Sequence, residues 1–386
     1  MSLRNQAFIA GAWEHPSRLA TDISTAMLHA QCAAGALADA GLTLADVDGY
    51  FCAGDAPGMG GFSMVEYLGL RVKYLDSTET GGCSYIQLLA HAARAIADGR
   101  CSVALITMAG RPRSEQMQRP RSNMPEMPFE ASLAVVNPLS YGMCAARHMY
   151  EHGTTSEQLA WIKVAASHHA QHNPNAMLRQ VVTVEDVVSS PMIADPLHRL
   201  DCCVVSDGGG ALVVVSPEIA RTLPRPMITV RGAGEALKTQ RGGKDLDLTT
   251  SAAAISGPLA FEEAGVRPSD IKYASVYDSF TITVLMQLED LGFCEKGQGG
   301  RFVADGNLIS GVGKLPFNTD GGGLCSNHPS NRGGMTKVIE AVRQLRGEAH
   351  PAVQVPDCDL AVATGIGWSL GVRHAAATVV LERTDG

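Results

Sequence analysis

The chain has 386 residues, 45% of them hydrophobic and 18% charged, and a formal net charge of −8. This composition fits two or three domain-sized folded units and excludes a disordered or fibrous chain. The acidic balance leaves no broad basic face for a phosphate backbone, so no nucleic-acid partner is expected. No apolar run approaches the roughly 20 residues of a bilayer span, so no membrane association is expected either.

The chain starts without the ordered basic, apolar and cleavage regions of a secretory leader, which predicts a cytoplasmic protein. Its ten cysteines are scattered without a C-x-x-C pair. The adjacent Cys202 and Cys203 suit neither an ordinary disulfide nor a zinc knuckle, so reduced thiols are expected. Ala40-Gly41 closes an amphipathic helix, and the apolar strand Gly49-Tyr50-Phe51 follows a short polar link. Glu79-Thr80-Gly81-Gly82-Cys83-Ser84 opens a helix over 84–98, with Ile86, Leu89, Ala90 and Ala93 at helical spacing. Gly99 stops it before the strand Val103–Thr107. Residues 111–200, rich in Pro, Met, Arg and His, read as a loop or cap over a site. A β-rich run, Ala211–Val215, closes the first half, and Pro224 and Pro226 mark the junction.

The second half repeats this order. Ala264-Gly265 ends a helix before the strand Tyr273–Val276. A helix over Thr281–Leu291, a Gly-rich loop at 321–329 and a helix over Thr336–Leu345 follow. The strand Leu360–Ala363 and the β-rich run Ala377–Leu381 finish the chain. Continuous apolar strands between helices predict a mixed, largely parallel sheet buried on both faces. The chain therefore reads as two related α/β halves, 1–220 and 221–386, the first carrying the insertion 111–200. A functional cleft is expected between them.

Four segments are candidates for chemistry. At Glu79–Ser84 the paired glycines and the free amides of a helix start favour an anion. A cysteine there, Cys83, is expected to have a lowered pKa and act as a nucleophile, or else to pack as a small residue. At Val276-Tyr277-Asp278-Ser279-Phe280, the end of a strand, Tyr277 is either a general acid/base or a half-buried aromatic, and Asp278 is a candidate helix N-cap. His328, in Gly321-Gly322-Gly323-Leu324-Cys325-Ser326-Asn327-His328-Pro329, is placed for acid/base work or as an oxyanion donor, or is a capped loop histidine. Gly365-Ile366-Gly367-Trp368-Ser369-Leu370-Gly371 imitates a dinucleotide fingerprint, but no helix, second strand and acidic residue follow it. His168 and His172 are spaced as a metal pair on one helix with no third ligand. Arg111, Arg113, Arg119 and Arg121 are either anion contacts or solvated loop charges.

Over nearly its whole length the chain resembles the thiolase superfamily, in its sterol-carrier-protein-2-type and lipid-transfer-protein branch. The resemblance is carried by His-Arg-Leu-Asp-Cys-Cys-Val-Val-Ser-Asp-Gly-Gly-Gly at 198–210, Tyr-Asp-Ser-Phe at 277–280, Gln-Leu-Glu-Asp-Leu-Gly-Phe-Cys at 287–294 and Ser-Asn-His-Pro at 326–329. It implies a thiolase fold of two pseudo-repeated βαβαβαββ halves in a five-layer αβαβα arrangement. It also implies a homodimer and acyl-CoA substrates, with CoA entering as part of the substrate and no permanently bound cofactor or metal. The arginines at 111–121 would then be candidates for CoA phosphates. His328 matches the family's loop histidine. The family's nucleophilic cysteine falls on Gly82, with Cys83 one residue late and turned by about 100° on a helix. The second family cysteine falls on Gly365, and Tyr277 and Ser279 replace a His and a Cys.

These departures favour cysteine-independent retro-aldol cleavage of a β-hydroxyacyl-CoA, as in side-chain aldolases that work with a small OB-fold, zinc-ribbon partner. Tyr277 would be the acid/base, His328 would polarise the thioester oxygen, and Asp278 would hold the local geometry. The alternatives are an acetyl-CoA acyltransferase using Cys83 as nucleophile and a non-catalytic acyl-CoA or lipid carrier subunit.

Overall fold

A computed structural model describes residues 3–115, 137–239, 247–329, 333–371 and 373–384. Its strands are β1 (Phe8–Glu14), β2 (Gly49–Cys52), β3 (Tyr74–Ser77), β4 (Val103–Gly110), β5 (Met192–Ala194), β6 (Leu197–His198), β7 (Gly208–Val215), β8 (Met227–Thr239), β9 (Tyr273–Val276), β10 (Leu360–Ser369) and β11 (Arg373–Thr384). The longer helices are α1 (Thr25–Ala40), α2 (Gly61–Leu68), α3 (Ser84–Ala97), α4 (Asn137–His152), α5 (Ser156–Ala170), α6 (Ala253–Ala264), α7 (Thr281–Asp290) and α8 (Gly334–Arg346).

Nine strands form one sheet in the order β3-β2-β4-β7-β1-β8-β11-β10-β9, and β5 and β6 form a small separate hairpin. Strands from residues 8–215 occupy one end of the large sheet and strands from 227–384 the other. They meet where β1 pairs β8 through Phe8 with Thr229 and Ile9 with Ile228. The sheet is mixed: β2 lies parallel to β3 and β4, and β9 parallel to β10, while β7, β1, β8 and β11 run antiparallel to their neighbours.

The alternation along each strand produces the layers, because successive side chains face opposite sides of the sheet. On β4, Ala104 and Ile106 join a core around α3 and α8, while Val103 and Leu105 join a second core under α1. On β11, Val379 and Leu381 face the same central helices, while Ala376 and Val380 face a third core under α6 and α7. The two ends of the one sheet thus flank the same central helices, and the layers run helix, sheet, helix, sheet, helix; β7 is apolar and buried along its whole length, whereas β8 carries Arg231, Glu235 and Lys238.

The repeat extends to single contacts. A Cβ placed on Gly11 of β1 would lie 2.1 Å from the Ala36 carbonyl oxygen and 3.1 Å from Ala40 Cβ on α1. A Cβ placed on Gly232 of β8 would lie 2.4 Å from the Ala260 carbonyl oxygen and 2.9 Å from Ala264 Cβ on α6. Each half seats its outer helix on its sheet through the same glycine–alanine approach. Both helices end on a left-handed glycine, Gly41 at φ 72° and Gly265 at φ 65°.

The insertion differs from its sequence reading. Residues 116–136 lie outside the described set, and the rest is largely helical rather than loop. α4 and α5 follow one another across residues 153–155, and Ile162, Ala165 and Ala166 of α5 are buried in the core beneath α7. Part of the Pro, Met and His content that suggested a loop lies inside these helices, at Pro138, Met143, His148, Met149, His152, His168 and His169. No described helix is long and apolar enough to cross a membrane.

Gly11→Ala and Gly232→Ala should each lower stability by about 1–3 kcal/mol, because the added methyl must push helix backbone off the sheet. Urea unfolding midpoints with an unchanged m value would show it. An effect at only one of the two positions would break the proposed equivalence.

Candidate active site

Tyr277 follows β9 directly and is held from both sides. Its amide donates to the Thr364 carbonyl at 3.0 Å, and its own carbonyl accepts from Gln287 Nε2 of α7 at 2.7 Å. One residue earlier, the side chain of Asn318 pairs with Val276 as another strand would. Its Oδ1 accepts from Val276 N at 2.8 Å and its Nδ2 donates to Val276 O at 2.8 Å. On this rigid support the phenol is buried, with Oη 2.8 Å from His328 Nε2.

His328 is fixed through its backbone. Its amide donates to Ser206 Oγ at 2.9 Å, the Ser206 hydroxyl donates to Asn327 Oδ1 at 2.7 Å, and Asn327 Nδ2 donates to Glu14 Oε1 at 2.8 Å. Burial pushes the imidazole down to about 4, with Lys337 adding to the effect and Asp278 opposing it. Burial likewise pushes the Tyr277 phenol well above its ordinary value. At neutral pH the pair is therefore an uncharged phenol against an uncharged imidazole, joined by one hydrogen bond.

Asp278 does not cap the helix that follows it, because α7 starts at Thr281 behind Phe280. Its carboxylate turns instead to the Gly-rich loop. Oδ1 accepts from Gly323 N at 2.8 Å and Oδ2 from Leu324 N at 3.1 Å, capping the single turn Gly322–Cys325. The glycines permit this approach: a Cβ on Gly322 would lie 2.1 Å from Asp278 Oδ2. Lys337 of α8 completes the arrangement, its Nζ 2.8 Å from Asp278 Oδ1 with both side chains buried. Burial alone would lower the Lys337 pKa, but Asp278 and Asp320 outweigh it and hold the ammonium above its ordinary value.

The first-half contribution is Gly82. A Cβ placed there would lie 2.6 Å from Tyr277 Cζ, 2.8 Å from Tyr277 Oη and 2.3 Å from the Ile366 carbonyl. The phenol occupies the space into which a side chain at 82 would extend. Cys83 is fully buried in the central core, and its thiol donates to Thr80 O at 3.4 Å. Its pKa is not lowered as the helix start suggested. Burial pushes it up to about 12, Thr80 opposes, and Glu79 and Glu235 add to the rise. Desolvation of a thiolate outweighs the favourable amides there. Gly365 lies against the backbone of Cys83, a Cβ on it reaching within 3.3 Å of Cys83 Cα.

Residues 198–210 build the walls around this pair. Thr281 Oγ1 donates to the buried Asp201 at 2.7 Å, Cys203 N donates to Ser279 O at 2.9 Å, and Val204 N donates to Gly323 O at 2.9 Å. Asp207 gathers the Ala20, Arg113 and Ser114 amides at the start of the insertion. Of the four arginines singled out in sequence, Arg111 donates to the Ala20 carbonyl at 2.8 Å and Arg113 to the Arg18 carbonyl at 3.5 Å, while Arg119 and Arg121 lie outside the described residues. His168 and His172 do not share a helix face, because α5 ends at Ala170. His172 stacks on His350 with ring centroids 4.8 Å apart. The sequence reading missed Lys337 and Ser206. Lys337 carried a signal: it lies in the opening turn of a helix, where the dipole disfavours a cation unless an anion holds it.

The arrangement can shuttle a proton between a phenol and an imidazole. It offers no thiolate at the position where Tyr277 and Gly82 meet. Residues 234–383 match the family model described as thiolase C-terminal domain-like. A steroid side-chain-cleaving aldolase of Thermomonospora curvata is 36% identical over 84% of this chain and 86% of its own length. An acetyl-CoA acetyltransferase of Methanothermobacter thermautotrophicus is 32% identical over 94% and 95%. Among solved structures, the Ltp2-ChsH2(DUF35) aldolase superposes with a TM-score of 0.88 at 33% identity, covering 99% of this chain and 98% of its own.

Two measurements check this geometry. Iodoacetamide labelling followed by peptide mass spectrometry should leave Cys83 unmodified in the folded protein and label it after denaturation. Rapid selective labelling of Cys83 would contradict its burial. Lys337→Met should cost about 3–5 kcal/mol, because it strands the buried Asp278 carboxylate, whereas Lys337→Met with Asp278→Asn should recover part of that loss.

Proposed function

Because the chain belongs to the thiolase superfamily, in the branch of the sterol-carrier-protein-2-type thiolases and lipid-transfer proteins, we propose that it cleaves a carbon–carbon bond of a β-hydroxyacyl-CoA by a retro-aldol route that uses no cysteine. The observation that carries this reading is the mutual exclusion of Gly82 and Tyr277. The family's nucleophile position is a glycine, and the phenol fills the space beside it. The aldolase relatives support the chemistry by their names.

In this reading the β-hydroxyl of the substrate gives its proton to the Tyr277 oxygen as Tyr277 passes its own to His328 Nε2. The Cα–Cβ bond breaks, Cβ becomes a carbonyl, and the bonding electrons form the thioester enolate. The enolate carbon then takes the proton back through the same pair, leaving an aldehyde or ketone and a shortened acyl-CoA. Concerted transfer suits a phenol with a raised pKa and an imidazole with a lowered one, since neither forms a free ion on its own. The hydrogen bond to Tyr277 makes His328 the phenol's proton partner before it can serve the thioester oxygen. Asp278 holds the loop that carries His328.

The reading extends to the rest of the molecule. CoA enters as part of the substrate, with no resident cofactor. The two halves 1–220 and 221–386 act as one unit, supported by a pair formed from Gly82 of one and Tyr277 of the other. A cytoplasmic homodimer assisted by a small OB-fold, zinc-ribbon partner is the assembly proposed. The solved aldolase whose name joins two components supports the partner. The acetyltransferase relative keeps acyl transfer through Cys83 as the second reading, and the buried, raised-pKa thiol weighs against it.

Tyr277→Phe should lower cleavage of a β-hydroxyacyl-CoA at least 10³-fold, while Cys83→Ala should keep most of it, measured by release of the shortened acyl-CoA. An acyl-enzyme on Cys83 in the wild type would transfer the assignment to the acyltransferase reading. Substrate binding without turnover, even with a partner supplied, would favour the carrier reading. The pH profile carries a sign. His328 must be neutral to accept a proton, and its pKa is lowered to about 4. The rate should therefore stay level from pH 8 down through 6.5 and fall only as the pH approaches 4. A limb near 6.5 would show that the imidazole titrates as an ordinary exposed histidine.

A further inference from the structure

We propose that Lys163, on α5 of the insertion, is a positioning residue: its buried ammonium holds the Gly-rich loop at the place where His328 meets Tyr277. The residue is 1% exposed, and its Nζ donates to the Leu324 carbonyl at 2.6 Å. Leu159, Ile162, Ala165 and Ala166 around it on the same helix are core residues. Lys337 has Asp278 as its countercharge. Lys163 has a neutral carbonyl instead, and among the described residues no carboxylate forms an ion pair with it. A buried ammonium without a carboxylate is costly, so core packing does not account for a lysine there.

The loop lies along one face of α5. Lys163 and Ala170 stand two helical turns apart and share that face. Lys163 touches Leu324, and a Cβ placed on Gly321 would lie 2.6 Å from Ala170 Cβ. Just beyond the helix, Asn173 Nδ2 donates to Asp320 O at 2.9 Å and to Ser326 Oγ at 3.0 Å. Asp278 binds amides of the turn Gly322–Cys325, and Lys163 binds a carbonyl near its close. Each charge meets the peptide group of opposite polarity, the anion N–H and the cation C=O. On either side, Gly323 O and Cys325 O accept main-chain amides, from Val204 and Leu178, each at 2.9 Å. Leu324 O depends on a side chain. Losing that contact leaves the Asp278–Lys337 pair intact and loosens the segment beyond it, which carries the imidazole.

The test has a kinetic arm, which rests on the retro-aldol reading, and a spectroscopic arm, which does not. Lys163→Met should lower kcat for a β-hydroxyacyl-CoA about tenfold or more and keep KM within about twofold, because the reacting pair is displaced and the binding surface is not. Its melting temperature should stay within about 3 °C of wild type, since no buried carboxylate is stranded and methionine fills a similar volume. The second arm follows His328 by NMR of isotope-labelled histidine, its signal assigned by loss in His328→Asn. Tyr277, Asp278 and Lys337 surround this imidazole, and burial is the main cause of its pKa of about 4. Loosening admits water, so the midpoint should rise toward about 6.5 in Lys163→Met. Lys163→Gln keeps a donor for Leu324 O and should fall between. An unmoved midpoint in Lys163→Met would overturn the assignment. So would a wild-type kcat, or a kcat loss that only tracks a fall in melting temperature. If Lys163→Met does not fold, an unmoved midpoint in Lys163→Gln overturns it. No cleavage by wild type with a partner present, together with a raised midpoint in Lys163→Met, would instead reject the retro-aldol reading and keep the positioning one.

Discussion

The Asp278 carboxylate is the point on which the site's geometry depends. It is buried, and a buried carboxylate persists only with a countercharge and with donors for its oxygens. Lys337 supplies the charge, and the amides of Gly323 and Leu324 supply the donors. Three pieces of chain distant in sequence are thereby fixed together: the end of β9, the loop 321–328 and the first turn of α8. Tyr277 is the neighbour of Asp278 on the first piece, and His328 ends the second. Their 2.8 Å contact follows from where the carboxylate is satisfied. Removing one partner leaves the other uncompensated in a low-dielectric interior, which is why the pair behaves as a unit.

The first half enters this frame through an absence. Gly82 has no side chain, and the Tyr277 ring lies within contact of where one would begin. A cysteine at 82 and a tyrosine at 277 compete for one volume, so the two departures from the family pattern belong together. The same applies in part to Gly365, whose missing side chain would press on Cys83 and on Ile86, where a Cβ would come within 3.0 Å of Cδ1. Cys83 then fills the core behind the turn. The Thr80 hydroxyl and a backbone amide offset only part of its burial, and its thiol stays protonated.

Much of the fold was legible because it rests on period and punctuation. Apolar runs at 103–107, 211–215, 360–363 and 377–381 lie in strands buried on both faces, and the glycines at 41, 99, 265 and 347 stop helices. The matching Ala40-Gly41 and Ala264-Gly265 pointed to the repeat that the Gly11 and Gly232 contacts show in detail. The insertion was less legible because Pro, Met and His are loop-like in composition, yet the helices at 137–152 and 156–170 bury their apolar face in the core under α6 and α7. At the site, Tyr277 and His328 stood out as polar residues at a strand end and in a glycine loop. Their direct contact was not legible, since it depends on how far Asp278 draws the loop in. The Asp278 reading as an N-cap failed for the same reason: a local hydrogen bond to the next helix lost to two amides and a cation from elsewhere.

The electrostatics of the resting pair also constrain its chemistry. Burial raises the phenol's pKa and lowers that of the imidazole, so separating charge between them is unfavourable in the low-dielectric interior. The site therefore holds a proton in a hydrogen bond between two neutral groups. Proton transfer becomes favourable only when a bound molecule supplies a second proton to the phenol oxygen in the same step. A β-hydroxyl does so as its carbon–carbon bond breaks, because the electrons leave toward the thioester rather than staying on oxygen. A thiol nucleophile needs the opposite environment, one that stabilises a standing anion. The surroundings of Tyr277 and His328 suppress standing charge, and that preference fits a proton relay better than a thiolate.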